Sequence, residues 1–149
     1  MKLLLKIVGA IVACAILALV VLRITDLDPS GHRAGLWLKG EQASCPADWA
    51  FAAKYPTLMV ETHPWYLIPH SVTIYFVTYQ NQLYLHADFP PGLTFPGGKS
   101  WTAAVARDPN VRIKMGKQLF DCKAVLNTDP GRFNALFEAF RKKISPKPV

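Results

Sequence analysis

Three cysteines and four histidines are the first residues to weigh for chemistry, because thiols and imidazoles ligate metals, carry redox steps and move protons near neutral pH. His63 and His70 stand seven apart across Pro64-Trp65-Tyr66-Leu67-Ile68-Pro69, with His32 and His86 further off. A single axial histidine suffices for haem. No C-x-x-C pair or clustered His/Cys spacing suggests zinc, so no metal site is expected. Outside the apolar amino-terminal run, Cys45 and Cys122 are either a disulfide formed in an oxidising compartment or two unrelated buried thiols. Lys99-Ser100 opens a helical run, where backbone N–H groups and the positive end of the dipole suit a phosphate; Ser100 is equally an ordinary helix cap. Trp65 and Tyr66, with Phe89 and Phe95 in loops rich in proline, would line a slot for a planar ring, touch a bilayer, or pack on a rim. No nucleophile or acid–base constellation is visible. Any catalysis would therefore be borne by a cofactor.

These residues sit on a regular succession of elements. Cys45-Pro46-Ala47-Asp48 opens a short helix that Pro56 closes, with Trp49, Ala52 and Ala53 on one face. From there the pattern has period two: a strand over 57–62, then a hairpin of 71–79 and 83–87 around Gln80-Asn81-Gln82. Ser100 to Arg107 reads as a brief helix ended by Asp108-Pro109. A second hairpin follows, 111–115 and 118–126, across Gly116-Lys117. Asp129 caps a last helix in which Phe133, Leu136, Phe137 and Phe140 share the expected core face, and Pro146 stops it. Strands joined by short turns, with helices at intervals and no βαβ alternation, indicate an α+β domain built on an antiparallel barrel or sheet.

Of 149 residues, 51% are hydrophobic and only 18% charged, against about 25% charged on average. Much of that deficit belongs to Leu3–Leu22, apolar except for Lys6, which predicts a transmembrane anchor over 1–23, a linker over 24–44 and the domain over 45–149. A cleaved signal or a lipoprotein box at Ile11-Val12-Ala13-Cys14 competes, but the chain stays apolar past Cys14 and no small-residue cleavage site follows Leu22. Lys2, Lys6 and the free amine hold the short tail on the cytoplasmic side. The expectation is a single pass through a bacterial cytoplasmic membrane, with the domain outward. The net charge of +7 equals that of residues 99–149, where eleven Lys and Arg meet Asp108, Asp121, Asp129 and Glu138. An anionic partner would suit that third, although Arg141-Lys142-Lys143 also complete a helix dipole. Nucleic acid is not expected, since no exposed aromatics interleave the basic hairpin.

Trp101-Thr-Ala-Ala-Val-Ala-Arg-Asp-Pro109-Asn-Val111, running into the Gly116 turn and a strand ending Lys123-Ala124-Val125, resembles the split-barrel superfamily of flavin-binding and deazaflavin-dependent reductases. Pro69-His70-Ser71-Val72 through Leu85 is similar to the strand pair that pyridoxamine-phosphate-oxidase-like members place before that helix. The resemblance implies an antiparallel split β-barrel with flanking helices, paired as a homodimer, holding FMN or a deazaflavin and reducing a nitro compound or a lipophilic quinone. It also implies a cofactor site drawn from Tyr66, His70, Ser71, Lys99, Ser100 and Trp101. The turn that grips phosphate in the deazaflavin branch has no Arg, Lys or Gly here. That departure implies an alternative, a cofactor-less relative acting as a membrane-tethered binding or accessory protein; a haem-binding split barrel is the third.

Overall fold

The computed structural model describes residues 1–66 and 68–145; Leu67 and the expected stop at Pro146 lie outside the described residues. Its first element, α1 (Lys2–Ile24), buries no side chain against the rest of the chain. At 1.5 Å per residue its 23 residues measure about 35 Å, enough for a hydrocarbon core of about 30 Å. It is long and apolar enough to cross a membrane.

The domain is α+β, a six-stranded sheet curled into a half-barrel. The strands are β1 (Glu41–Ser44), β2 (Thr57–Thr62), β3 (His70–Tyr79), β4 (Gln82–Leu85), β5 (Asn110–Met115) and β6 (Gln118–Lys123). Their order across the sheet is β1-β6-β5-β2-β3-β4. Four of the five pairings are antiparallel, but β1 runs parallel to β6, Glu41 beside Gln118 and Ser44 beside Asp121, so the sheet is mixed and not wholly antiparallel as expected. The correction has a simple cause: β1 enters from the linker alongside a strand 77 residues later, a pairing that leaves no local trace.

Both hairpins form as their turn residues require. Gln80 and Asn81 take positive φ, 49° and 61°, in the two-residue turn between β3 and β4. Gly116, at φ 58°, makes the turn between β5 and β6, where an added Cβ would stand 3.1 Å from the Tyr55 hydroxyl. Strand β6 ends three residues short of the expected Leu126. Pro109 has no N–H to offer, so the ladder closes with the Ala124 N–H donating to its carbonyl at 2.8 Å. The expected helix after Cys45 is a single 3-10 turn, Ala50–Lys54, begun by the Asp48 carboxylate accepting from Ala50 N–H at 2.7 Å.

Alternation on β2, β3, β5 and β6 sends Leu58, Val60, Ile74, Phe76, Ile113 and Phe120 into one core, with Trp49 edge-on to Phe120 at 5.3 Å. The opposite face is crossed by residues 26–40, which are bound to the sheet along their length. Gly35 and Ser71 exchange both backbone hydrogen bonds (2.8 and 2.9 Å), Leu38 N–H donates to the Glu61 carboxylate (2.6 Å), and Lys114 pairs with Asp28 (2.5 Å). Leu38 is 1% exposed. This strap has almost no slack at Gly35, where a Cβ would lie 2.3 Å from the Leu27 carbonyl and 2.6 Å from Ser71 Oγ.

The other helices are α2 (Ser100–Arg107) and α3 (Pro130–Ile144). Asp129 caps α3 as expected, accepting from Gly131 N–H at 3.0 Å. Its core face is rotated from the expected one. Phe140 is buried, stacked on His86 at 3.8 Å and edge-on to Tyr75 at 6.2 Å, whereas Phe133 and Phe137 stay 61% and 53% exposed. Two long basic side chains turn the helix. Arg132 donates to the Tyr84 hydroxyl at 3.1 Å, and Lys143 lays its stem inward with its ammonium 3.3 Å from the Phe76 ring centroid. Burial there depresses the Lys143 pKa.

Candidate functional site

The six residues expected around a cofactor fall into three separate groups, and no side-chain hydrogen bond or ring contact joins the groups among the described residues. At the first, Lys99 is itself the N-cap of α2, without a side-chain capping bond. Ser100 is exposed and is the first helical residue, not the cap. Thr102 does the tying, its hydroxyl donating to the carbonyls of Pro96 (3.0 Å) and Lys99 (2.9 Å). Trp101 is half-buried against the core. Its ring is therefore committed to packing. The first-turn N–H groups beside Lys99 and Ser100 keep the geometry of an anion site.

At the second group, His70 and Ser71 open β3. Ser71 is fully buried, its backbone bonded to Gly35 and its hydroxyl beneath the strap, where it finds no partner; His70 Nδ1 is likewise buried and unpaired among the described residues. A phosphate outside the sheet cannot reach Ser71 while the strap lies there. The third group is Tyr66, 47% exposed, its ring edge-on to the 83% exposed Trp65 at 5.4 Å. Phe89 and Phe95 are half-buried. Their loop folds on itself, the Cβ position of Gly98 meeting Leu93, Pro90 and Phe89 at 3.3–3.5 Å. Taken as a set, these residues do not fit a flavin phosphate: the α2 start suits one, and Ser71 does not.

A different constellation crosses the sheet. In register on β3, β2, β5, β6 and β1 stand Ser71, Glu61, Arg112, Asp121 and Ser44, a polar row on the face away from the core. Arg112 grips Asp121 through Nε (2.7 Å) and Nη2 (3.2 Å), and Gln42 adds a bond at 2.9 Å. The pair hold each other charged: Arg112 lowers the Asp121 pKa and Asp121 raises that of Arg112. Glu61, 2% exposed, has its pKa raised by burial, against the lowering effect of Leu38 N–H and the charge of Arg112. His63 lies 3.9 Å from Glu61 and shares a 3.2 Å contact with the Asn110 carbonyl, while Arg107 donates to the His63 carbonyl at 2.5 Å.

Where this row meets the end of the sheet, a cleft of about 460 Å³ opens between His63, Asn110, Arg112, Asp121 and Lys123. Its wall is the disulfide Cys45–Cys122, with Cα atoms 5.3 Å apart. The sulfurs are bonded, which decides between the two readings left open above. Cys45 is exposed and Cys122 half-buried. The cleft is cationic at its rim, but its polar groups are largely spent on one another. Among the described residues no group of three or more His, Cys, Asp and Glu is placed to hold a metal ion. Sequence reasoning missed the row because pairing across strands created it. The available signal was a charge inside an apolar strand, Glu61 after Leu58-Met59-Val60 and Asp121 after Leu119-Phe120.

Comparison with known protein families, curated proteins and solved structures finds no match to this chain.

Proposed function

We propose that this chain is a membrane-anchored, cofactor-less binding or accessory module, a relative of the split barrels that holds a ligand or partner and converts nothing. The observation that carries this reading is the strap: residues 26–40 close the sheet face onto which Ser71 opens, taking up its backbone groups. In this reading α1 crosses a bacterial cytoplasmic membrane with the domain outward, where the Cys45–Cys122 bond persists. The rim of the cleft, with Lys123 beside the Arg112–Asp121 pair, would meet the anionic part of the ligand.

A second reading, a flavin- or deazaflavin-dependent reductase of nitro compounds or quinones, is favoured by exposed Ser100 and half-exposed Lys99 at the start of an eight-residue helix. The absorption spectrum of detergent-purified full-length protein, before and after incubation with FMN, a deazaflavin or haem, separates the two. A colourless protein that retains none of the three is the expected result. Retained flavin that is lost in Lys99→Glu would establish the reductase reading, and a Soret band the haem reading.

A further inference from the structure

Helix α3 carries more apolar surface than the sheet uses, and its surroundings say what covers the remainder. At 100° per residue, Phe133, Phe137 and Ile144 fall within about 40° of one another, Arg132, Leu136, Ala139 and Lys143 face the sheet from a different arc, and buried Phe140 marks the border, about 20° from Phe133. Phe133 and Phe137 stack on each other at 6.5 Å with both rings in solvent, and Ile144 is 44% exposed. Just ahead of the helix, Val125 and Leu126 are 86% and 56% exposed. Arg141, exposed and about 40° from Phe137, borders this stripe and pairs with Glu138 at 3.3 Å. Aromatic and aliphatic residues on one arc with a basic residue at its flank are the composition of a helix lying in a membrane interface.

We infer that the Phe133–Phe137 face of α3 docks on the bilayer surface, the rings at the acyl boundary and Arg141 among anionic phospholipid headgroups. The inference rests on α1 as a membrane anchor, and two observations select the bilayer as occupant. The domain is held close to the anchor: Arg23 lies over the Trp37 ring at 5.2 Å, Lys39 pairs with Asp26 at 3.2 Å, and Lys39 also donates to the carbonyl of Ile24, the last residue of α1. The anchor thus keeps the domain at the headgroup surface, where an apolar face turned toward it meets lipid at high effective concentration. The charge is complementary as well. Residues 99–149 carry net +7, so anionic lipid is attracted to this third, whereas a second copy would bring two positive surfaces together.

The test uses the full chain in nanodiscs, with Cys14→Ser and Asn134→Cys carrying a nitroxide on the exposed side of α3. Discs of phosphatidylcholine alone are compared with discs containing phosphatidylglycerol, and collision with oxygen and with a water-soluble nickel chelate reports the depth of the label. The expected result is loss of nickel access in the anionic discs, its return in Phe133→Ser/Phe137→Ser, and partial return in Arg141→Gln. Near-UV circular dichroism checks that these surface variants keep the fold. A label equally open to nickel in every disc overturns the inference, as does spin–spin broadening between labels, which would place a second copy on this face. Co-elution with the disc reports the anchor separately, so failure of docking and failure of anchoring give different results.

Discussion

Removing the Cys45–Cys122 bond is the perturbation whose size follows most directly from the structure. The bond spans 77 positions and joins the end of β1 to β6. Closing a loop of that length in the unfolded chain costs an entropy worth about 4.5 kcal/mol at 25 °C. The double variant Cys45→Ser/Cys122→Ser should be less stable by about that amount, a large share of the roughly 5–15 kcal/mol of a typical domain. Urea unfolding of the detergent-solubilised chain, followed by fluorescence of core Trp49, measures it. With a slope of about 1–3 kcal/mol/M, the midpoint should fall by about 1.5–4.5 M. Thiol reductant on the wild-type chain should give the same shift and should leave the double variant unchanged. A midpoint within about 0.5 M of wild type would refute the reasoning, because it would mean that β1 and the strap hold the loop without the bond.

Three further outcomes are expected. Burial raises the Glu61 pKa above its ordinary 4.5, so the folded state binds its proton more tightly and stability declines as pH rises from about 4.5 through the folded value; unfolding midpoints against pH should show this decline, and Glu61→Gln should flatten it. Asp108 and Asp121 have lowered pKa values, so their contributions are present above 3.8 and are lost as pH falls below it, which keeps the two windows apart. Gly35→Ala forces a methyl group to 2.3 Å from the Leu27 carbonyl and should cost about 1–3 kcal/mol in the same urea assay. In detergent, Phe140→Ala should cost about 3–5 kcal/mol and Phe133→Ala less than about 0.5 kcal/mol; equal losses would contradict the rotation of α3 described above.

What could be read from the sequence was local. The apolar run of α1, the two hairpins with Asn81 and Gly116 at their turns, and the Asp129-Pro130 start of α3 each announce themselves within a few residues. The parallel pairing of β1 with β6, the strap over Ser71 and the polar row through Glu61, Arg112 and Asp121 join residues 9 to 79 positions apart, and no periodicity records them. The face of α3 was misjudged for a related reason. Apolar periodicity marks every residue able to be buried, whereas Arg132 with Tyr84 and Lys143 with Phe76 decided which of them are. Lys99 and Ser100 follow from the rule that helix starts suit anions, and both stand at the start of α2. Ser71 was named with them, and its enclosure by Gly35 lay beyond any local rule.

The position of the disulfide also bears on mechanical load. A pull on the amino-terminal side, as from a bilayer spanned by α1, is borne first by the strap's Asp28–Lys114 pair and Gly35–Ser71 hydrogen bonds and reaches β1 at Glu41 once these part. Edge strands peel one hydrogen bond at a time, which demands little force. Here peeling can advance only four residues before it meets Cys45, whose covalent link to Cys122 passes the tension to β6, a strand paired on both sides. Such a pull can thus strip the strap and the outermost strand without opening the core behind them.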